Sequence, residues 1–287
     1  MKQLFSLLQH PLTKGLDLDD PRTTVLRQRI IREKGFLSKV YREWCVRIRD
    51  IVPAGPGRVL ELGSGGGILR EFIPELLTSD VLALPQLDVV ATGEALPFGA
   101  ASLKAIVMTN VFHHVPDARA MLREAARVTR AGGRVVMIEP WNTPWSRLVY
   151  RGVHHEPFEP AVRDWALTPG GGPLSAANGA LPWIVFERDR RRFEEAFPEW
   201  KVASITPFMP LSYVLSGGVS LRVQFPPVTY AFIRGVEELL PQRLFAMFAI
   251  IVLERASTTG VPVSANGRPA HERFRPSHRS DVRGEDG

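Results

Sequence analysis

Short apolar runs alternate with amphipathic stretches through the middle of this chain, and that alternation by itself predicts a fold. Runs of strand length occur at residues 58–63, 75–80, 87–92, 103–110 and 134–140. Between the last two, "VPDARAMLREAARVTRAGG" carries Met121, Leu122, Ala125 and Val128 at helical spacing, with Asp117 placed to cap the helix and Gly132 to stop it. Strands that alternate with helices imply right-handed crossovers, hence an α/β architecture with a mainly parallel, doubly wound sheet.

Before this core, residues 22–50 place Leu37, Val40, Tyr41, Trp44 and Ile48 at helical spacing among arginines and lysines. One or two amphipathic helices follow from that pattern, and residues 1–52 are expected to form a helical cap. The apolar stripe suits packing on a core; peripheral docking of the basic face on an anionic membrane is the alternative. The domain proper is expected at 53–255. Within it, residues 141–186 break the strand–helix rhythm with Trp, Pro, Gly and His, as an inserted lid would. A helix is expected over 188–197, strands over 200–206 and 247–255, and a second cap element over 208–245 that includes a helix near 230–240. Residues 256–287 are small, polar and charged without apolar period, which predicts a disordered tail.

Composition adds little to this picture. The formal charge of +6 would suit an acidic partner, but no nucleic-acid recognition pattern accompanies it, so no nucleic-acid partner is expected. Cys45 is the single cysteine, which excludes an internal disulfide or a cysteine-based metal cluster and fits a reducing, cytoplasmic setting. The N-terminal stretch "MKQLFSLLQHPLTKG" lacks a signal cleavage pattern, and the longest apolar run, residues 244–253, is short of the roughly 20 residues that span a bilayer. No integral membrane segment is expected.

The chemistry starts at "VLELGSGGGILREF", residues 59–72, where a strand is expected to turn through small residues into a helix. A dinucleotide fingerprint would place a third small residue where Ile68 stands, and a P-loop would require Gly-Lys-Ser/Thr where the chain has Ile68, Leu69 and Arg70. What remains is an acid on the strand followed by three alternate glycines: Glu61, Gly63, Gly65 and Gly67. Together with "EALPF" at 94–98, "AIVMTNVFHHVPD" at 105–117 and "EAARVTRAGGRVVMIEP" at 124–140, this resembles the class I S-adenosylmethionine-dependent methyltransferases, in the branch of quinone and small-molecule enzymes.

The resemblance implies a seven-stranded sheet with the last strand antiparallel, and S-adenosylmethionine as methyl donor. It also implies that Gly63, Ser64, Gly65 and Gly67 bring backbone to the donor's amino-acid end and ribose, with Glu61 favouring the ammonium group. A carboxylate ending the next strand should take the ribose hydroxyls: Asp80 is the first choice and Asp88 the second. Thr92 and Gly93 stand where relatives usually carry the acid that holds the adenine, so Thr92, Gly93 and Glu94 are the adenine-side candidates and Asn110 a floor for the methionine portion.

Methyl transfer is an in-line displacement that needs alignment and, for an oxygen acceptor, removal of a proton. His113 follows the fourth strand as half of a pair with His114, one that relatives carry whatever their acceptor. His154 and His155 form a second cluster with Glu156; adjacent residues do not converge on one metal without a distant further ligand, so no metal site is assigned. Glu139 ends the fifth strand within reach to orient a histidine. Trp141, Trp145, Trp183, Phe186 and Tyr213 suit either the core or an apolar acceptor pocket, and "ERDRRRF" at 187–193 suits a charged helix start or an acidic acceptor. The implied function is methyl transfer from S-adenosylmethionine to an oxygen or carbon of a small, largely apolar metabolite. The alternative is a catalytically inactive S-adenosylmethionine-binding regulatory or assembly protein.

Overall fold

A computed structural model of the chain describes residues 8–12, 14–153 and 156–257. His154, His155 and the expected tail, apart from Ala256 and Ser257, lie outside the described residues.

The strands are β1 (Arg58–Leu62), β2 (Leu76–Asp80), β3 (Val89–Val90), β4 (Leu103–Thr109), β5 (Thr129–Pro140), β6 (Trp200–Phe208) and β7 (Phe248–Arg255). They form one seven-stranded sheet in the order β3-β2-β1-β4-β5-β7-β6. β1 to β5 pair in parallel, whereas β7 runs antiparallel to both β5 and β6. The apolar segments of β4, β5 and β7 are buried on both faces, as central strands covered by other elements must be. The chain order reverses between β1 and β4, and the carboxyl edge there is where an open sheet of this kind leaves a crevice.

Two N-terminal helices, α1 (Pro21–Glu33) and α2 (Gly35–Ile51), match the amphipathic pattern. Phe36, Leu37, Val40, Trp44 and Ile48 of α2 are all at most 1% exposed, so the apolar stripe packs into the core. α3 (Ala118–Val128) connects β4 to β5 and is capped by Asp117, whose side chain accepts from the Arg119 and Ala120 N–H groups. It ends at Val128, before the expected Gly132 stop. Residues 130–133 bulge out of the β4–β5 register instead, and Gly132, at φ 70°, turns within that bulge.

Three further expectations need correcting. No α-helix follows the glycine loop: after β1 the chain makes two short 3-10 turns, Ser64–Gly66 and Leu69–Glu71, and enters β2. Few residues separate the loop from β2, Pro74 interrupts them, and α2 reaches this face through Arg42, whose guanidinium lies 5.7 Å from the Phe72 ring centre. The third strand shrinks from 87–92 to Val89–Val90. The helix expected over 188–197 is α5 (Arg190–Ala196), preceded by a wide turn at Ile184–Arg188. Between α3 and α5, the irregular segment after β5 contains α4 (Pro144–Val153), and between β6 and β7 lies α6 (Tyr230–Glu238).

Candidate active site

The carboxyl ends of β1, β2 and β4 open into one cavity of about 310 Å³. The segments that close it come from outside the sheet: Thr24, Arg27 and Ile31 of α1, Tyr41 and Cys45 of α2, Glu156 to Phe158 after α4, and Tyr213, Val219 and Ser220 before α6. Of the sequence candidates among the described residues, Glu61, Gly63, Gly65, Gly67, Asp80, Thr92, Gly93, Glu94, Asn110 and His113 all line this cavity. Ser64 lies beneath it, buried, accepting the Ser79 N–H at 3.1 Å and donating to the Glu61 carbonyl at 3.3 Å, so it supports the loop.

Two of the glycines are dictated by geometry. Gly63 adopts φ 65°, and a Cβ on it would stand 2.5 Å from Val111 Cγ2. A Cβ on Gly65 would stand 2.9 Å from Thr24 Cγ2 and 3.7 Å from Asp80 Oδ2, so α1 and the second strand both approach the loop backbone directly.

The acids divide clearly. Glu61 is 8% exposed, and its Oε2 has no hydrogen-bond partner among the described residues. Burial, helped by the charge of Asp80 and opposed by Ser64 and Arg70, pushes its carboxyl up to about 7. Asp80 ends β2 facing the same cavity; burial raises its carboxyl too, against the Leu82, Val81 and Gly65 N–H groups. Asp88 lies off the cavity, where it accepts from the Thr78 N–H at 2.8 Å and pairs with Arg70, contacts that hold its carboxyl low. Glu94 accepts the Asp117 N–H at 2.7 Å, so it also fixes the start of α3.

At the other end of the cavity, Glu139 is carried to the sheet edge by β5 and is fully buried. One of its oxygens accepts the Val111 and Phe112 N–H groups, each at 2.8 Å; the other meets His113 Nδ1 at 2.6 Å. Burial alone would lower His113, but the hydrogen bond and charge of Glu139, with Glu156, hold it up at about 9. His114 binds the Ala176 carbonyl through Nδ1 at 2.9 Å, and burial with the neighbouring His113 charge pushes it down to about 4. Glu156, from the segment after α4, stands 3.4 Å from His113 Nε2 and 3.8 Å from His114 Nε2. Sequence reading grouped Glu156 with His154 and His155; the structure brings it to the pair on the β4 loop.

The aromatic lining comes mostly from residues other than the five candidates. Of the five aromatic candidates only Tyr213 lines the cavity, joined by Tyr41, Tyr150, Phe158 and Phe248. Phe186 packs on Phe112 and Phe193, with ring centres 5.2 Å apart in each case; Trp141 is buried in the core; and Trp145 donates to the Pro210 carbonyl. In "ERDRRRF" the arginines are used locally, Arg188 on Asp189, Arg190 on Glu194 and Arg191 on Glu195, and none of the stretch lines the cavity. The self-paired charges of a short helix explain it.

Residues 60–137 match the model of a family described as a methyltransferase domain. Over 167 residues the chain is 30% identical to the ubiquinone biosynthesis O-methyltransferase of Xanthomonas axonopodis pv. citri, covering 46% of this chain and 69% of that one. The chain belongs to the class I S-adenosylmethionine-dependent methyltransferases. This methyltransferase is also 31% identical over 128 residues to the demethylmenaquinone methyltransferase of Mycolicibacterium paratuberculosis, covering 40% of the chain and 55% of the relative. It spans about half the length of the other menaquinone relatives it matches, such as that of Beutenbergia cavernae at 50%. Among solved structures, geranyl diphosphate C-methyltransferase from Streptomyces coelicolor A3(2) is similar at 14% identity and TM-score 0.47, covering 86% of this chain and 88% of that one. Among the described residues, no helix of the methyltransferase is long and apolar enough to cross a membrane.

Proposed function

We propose that this protein transfers a methyl group from S-adenosylmethionine to an oxygen or carbon of a small, largely apolar metabolite. The observation that carries the reading is Glu61: a buried carboxylate oxygen without a hydrogen-bond partner among the described residues, held near the end of β1 just before the glycine loop and lining a cavity that also contains Asp80. A zwitterionic nucleoside with a ribose diol complements that arrangement, its ammonium on Glu61 and its hydroxyls on Asp80. Bound there, the donor supplies an electrophilic methyl on sulfur.

The chain's own residues supply the rest. The backbone from Gly63 to Gly67 lets the amino-acid end approach; Thr92, Gly93 and Glu94 border the adenine side; Asn110 and Val111 form the floor. Tyr41, Tyr150, Phe158, Tyr213 and Phe248 give the remaining space an apolar wall that excludes water. His113, fixed by Glu139, holds or moves the acceptor's proton at Nε2, and His154 and His155 are further candidates for that role. Relatives named for quinone methylation support an acceptor of this class, a flat apolar ring with an ionisable oxygen or activated carbon. The single buried cysteine supports a reducing, cytoplasmic setting.

Incubating the pure protein with S-adenosylmethionine and a panel of phenols and reduced quinones, and following S-adenosylhomocysteine release, tests the reading. Release above background with at least one acceptor, lost in Asp80→Ala, is expected. Tight S-adenosylhomocysteine binding with no release under any acceptor or cell extract would favour a binding protein without turnover.

A further inference from the structure

Two imidazoles and a carboxylate converge beside the acceptor space, and the groups behind them fix which atoms face inward. The backbone carbonyl of Ala176 can only accept, so His114 Nδ1 donates to it, and a neutral ring then presents a lone pair at Nε2. His113 has the same arrangement with a stronger partner: Nδ1 meets the Glu139 carboxylate at 2.6 Å, and Glu139 is itself anchored by the Val111 and Phe112 N–H groups. Adjacent residues in a 3-10 turn normally diverge by about a third of a turn. Here the two rings instead lie 4.2 Å apart between centres, and both Nε2 atoms look toward Glu156.

We infer that His113 Nε2, His114 Nε2 and a Glu156 carboxylate oxygen form a binding site for a divalent first-row metal ion of the Zn2+ type, open to the acceptor side of the cavity. One ligand atom from each of the three residues lies within 4.8 Å of the others, and the two Glu156 oxygens divide between the rings, Oε2 standing 3.4 Å from His113 Nε2 and Oε1 3.8 Å from His114 Nε2. Ligands about 2.0–2.1 Å from a tetrahedral ion stand about 3.4 Å apart, so small side-chain rotations close the set. Two nitrogen donors disfavour Mg2+ and Ca2+, which take oxygen. The Glu139–His113 contact has the form of the carboxylate–histidine support that metal-bound imidazoles commonly carry. A dication also balances two carboxylates, Glu139 and Glu156, of which the first is wholly buried and the second 16% exposed at its side chain. Three protein ligands leave a position free on the cavity side. A neutral acceptor hydroxyl bound there would give its proton to solvent more readily and remain as an oxyanion, so with the ion in place His113 Nε2 serves as a ligand and no protein base is needed. That role rests on the methyl-transfer reading; the site itself rests on the side-chain geometry alone.

Full-length protein stripped with chelator and dialysed should bind one equivalent of Zn2+ by calorimetry, and one of Co2+ with visible d–d absorption bands of a site below six-coordinate. His114→Ala and Glu156→Gln should each weaken Zn2+ by about 100-fold or more, Glu139→Gln by about 10–100-fold, and His10→Ala not at all. Absence of stoichiometric Zn2+ binding by the unaltered protein, stronger binding of Mg2+ than of Zn2+, or undiminished Zn2+ affinity in Glu156→Gln overturns the inference. The first two measurements need no variant, so misfolding of a mutant cannot shield it. Calorimetry with S-adenosylhomocysteine on the same samples separates this outcome from failure of the donor reading.

Discussion

Glu61→Gln separates the cost of burying a charge from the use made of it. The carboxyl rises from 4.5 in the unfolded chain to about 7 in the folded one. Because the folded value is raised, the stability linked to this proton is present in full below pH 4.5 and is lost as pH rises through 7. The rise from 4.5 to about 7, at about 1.4 kcal/mol for each tenfold change in proton affinity, corresponds to about 3 kcal/mol by pH 8. Gln keeps the shape and does not ionise, so the ligand-free variant should be more stable than the parent at pH 8 and about equal to it near pH 4.5. At roughly 2–4 °C per kcal/mol, the melting temperature at pH 8 should rise by about 6–12 °C. Ligand affinity should move the other way. An ammonium group beside Glu61 favours the ionised form, so S-adenosylhomocysteine should bind more tightly as pH rises toward 7 and should release protons between pH 5 and 7. Calorimetry in buffers of different ionisation enthalpy counts those protons. Loss of one charge-assisted hydrogen bond, about 1.5–3 kcal/mol, should weaken binding to Glu61→Gln by about 10–150-fold. Affinity independent of pH between 5.5 and 8 with no proton release, or a Gln variant that binds as well as the parent, refutes the reasoning.

Asp80→Asn should weaken S-adenosylhomocysteine at least about 10-fold with little change in melting temperature, whereas Asp88→Asn should leave affinity alone and cost about 1–2 kcal/mol through Thr78 and Arg70. The reverse pattern would exchange their roles. Glu139→Ala removes the acceptor of the Val111 and Phe112 N–H groups and should destabilise by about 2–5 kcal/mol in denaturant titration; a loss under 1 kcal/mol would mean those groups find other partners. Gly63→Ala should cost about 1–3 kcal/mol in the same assay, from the left-handed backbone and the clash with Val111, and an unchanged midpoint would contradict the loop geometry.

Local chemistry made much of this protein legible in advance. The acid of β1 and the glycines after it, the Asp117 cap, the apolar runs of β4, β5 and β7 and the stripe on α2 are each decided by residues within a few positions of one another, where spacing is the cause of structure. Short-range reading failed where neighbouring elements compete for the same space. Pro74 and the approach of α2 leave two tight turns where a helix was expected after the glycine loop. Sequence ranks Asp80 ahead of Asp88 because it ends an apolar run, but what Asp88 does instead is visible only in its Arg70 and Thr78 contacts. The same limit applies to the site's far end. Phe186 and Trp141 turn into the core while Phe158 and Phe248 face the cavity, and Glu156 leaves its sequence neighbours for the His113–His114 pair. Such meetings depend on how distant segments pack over the sheet edge, and no periodicity within one segment encodes them.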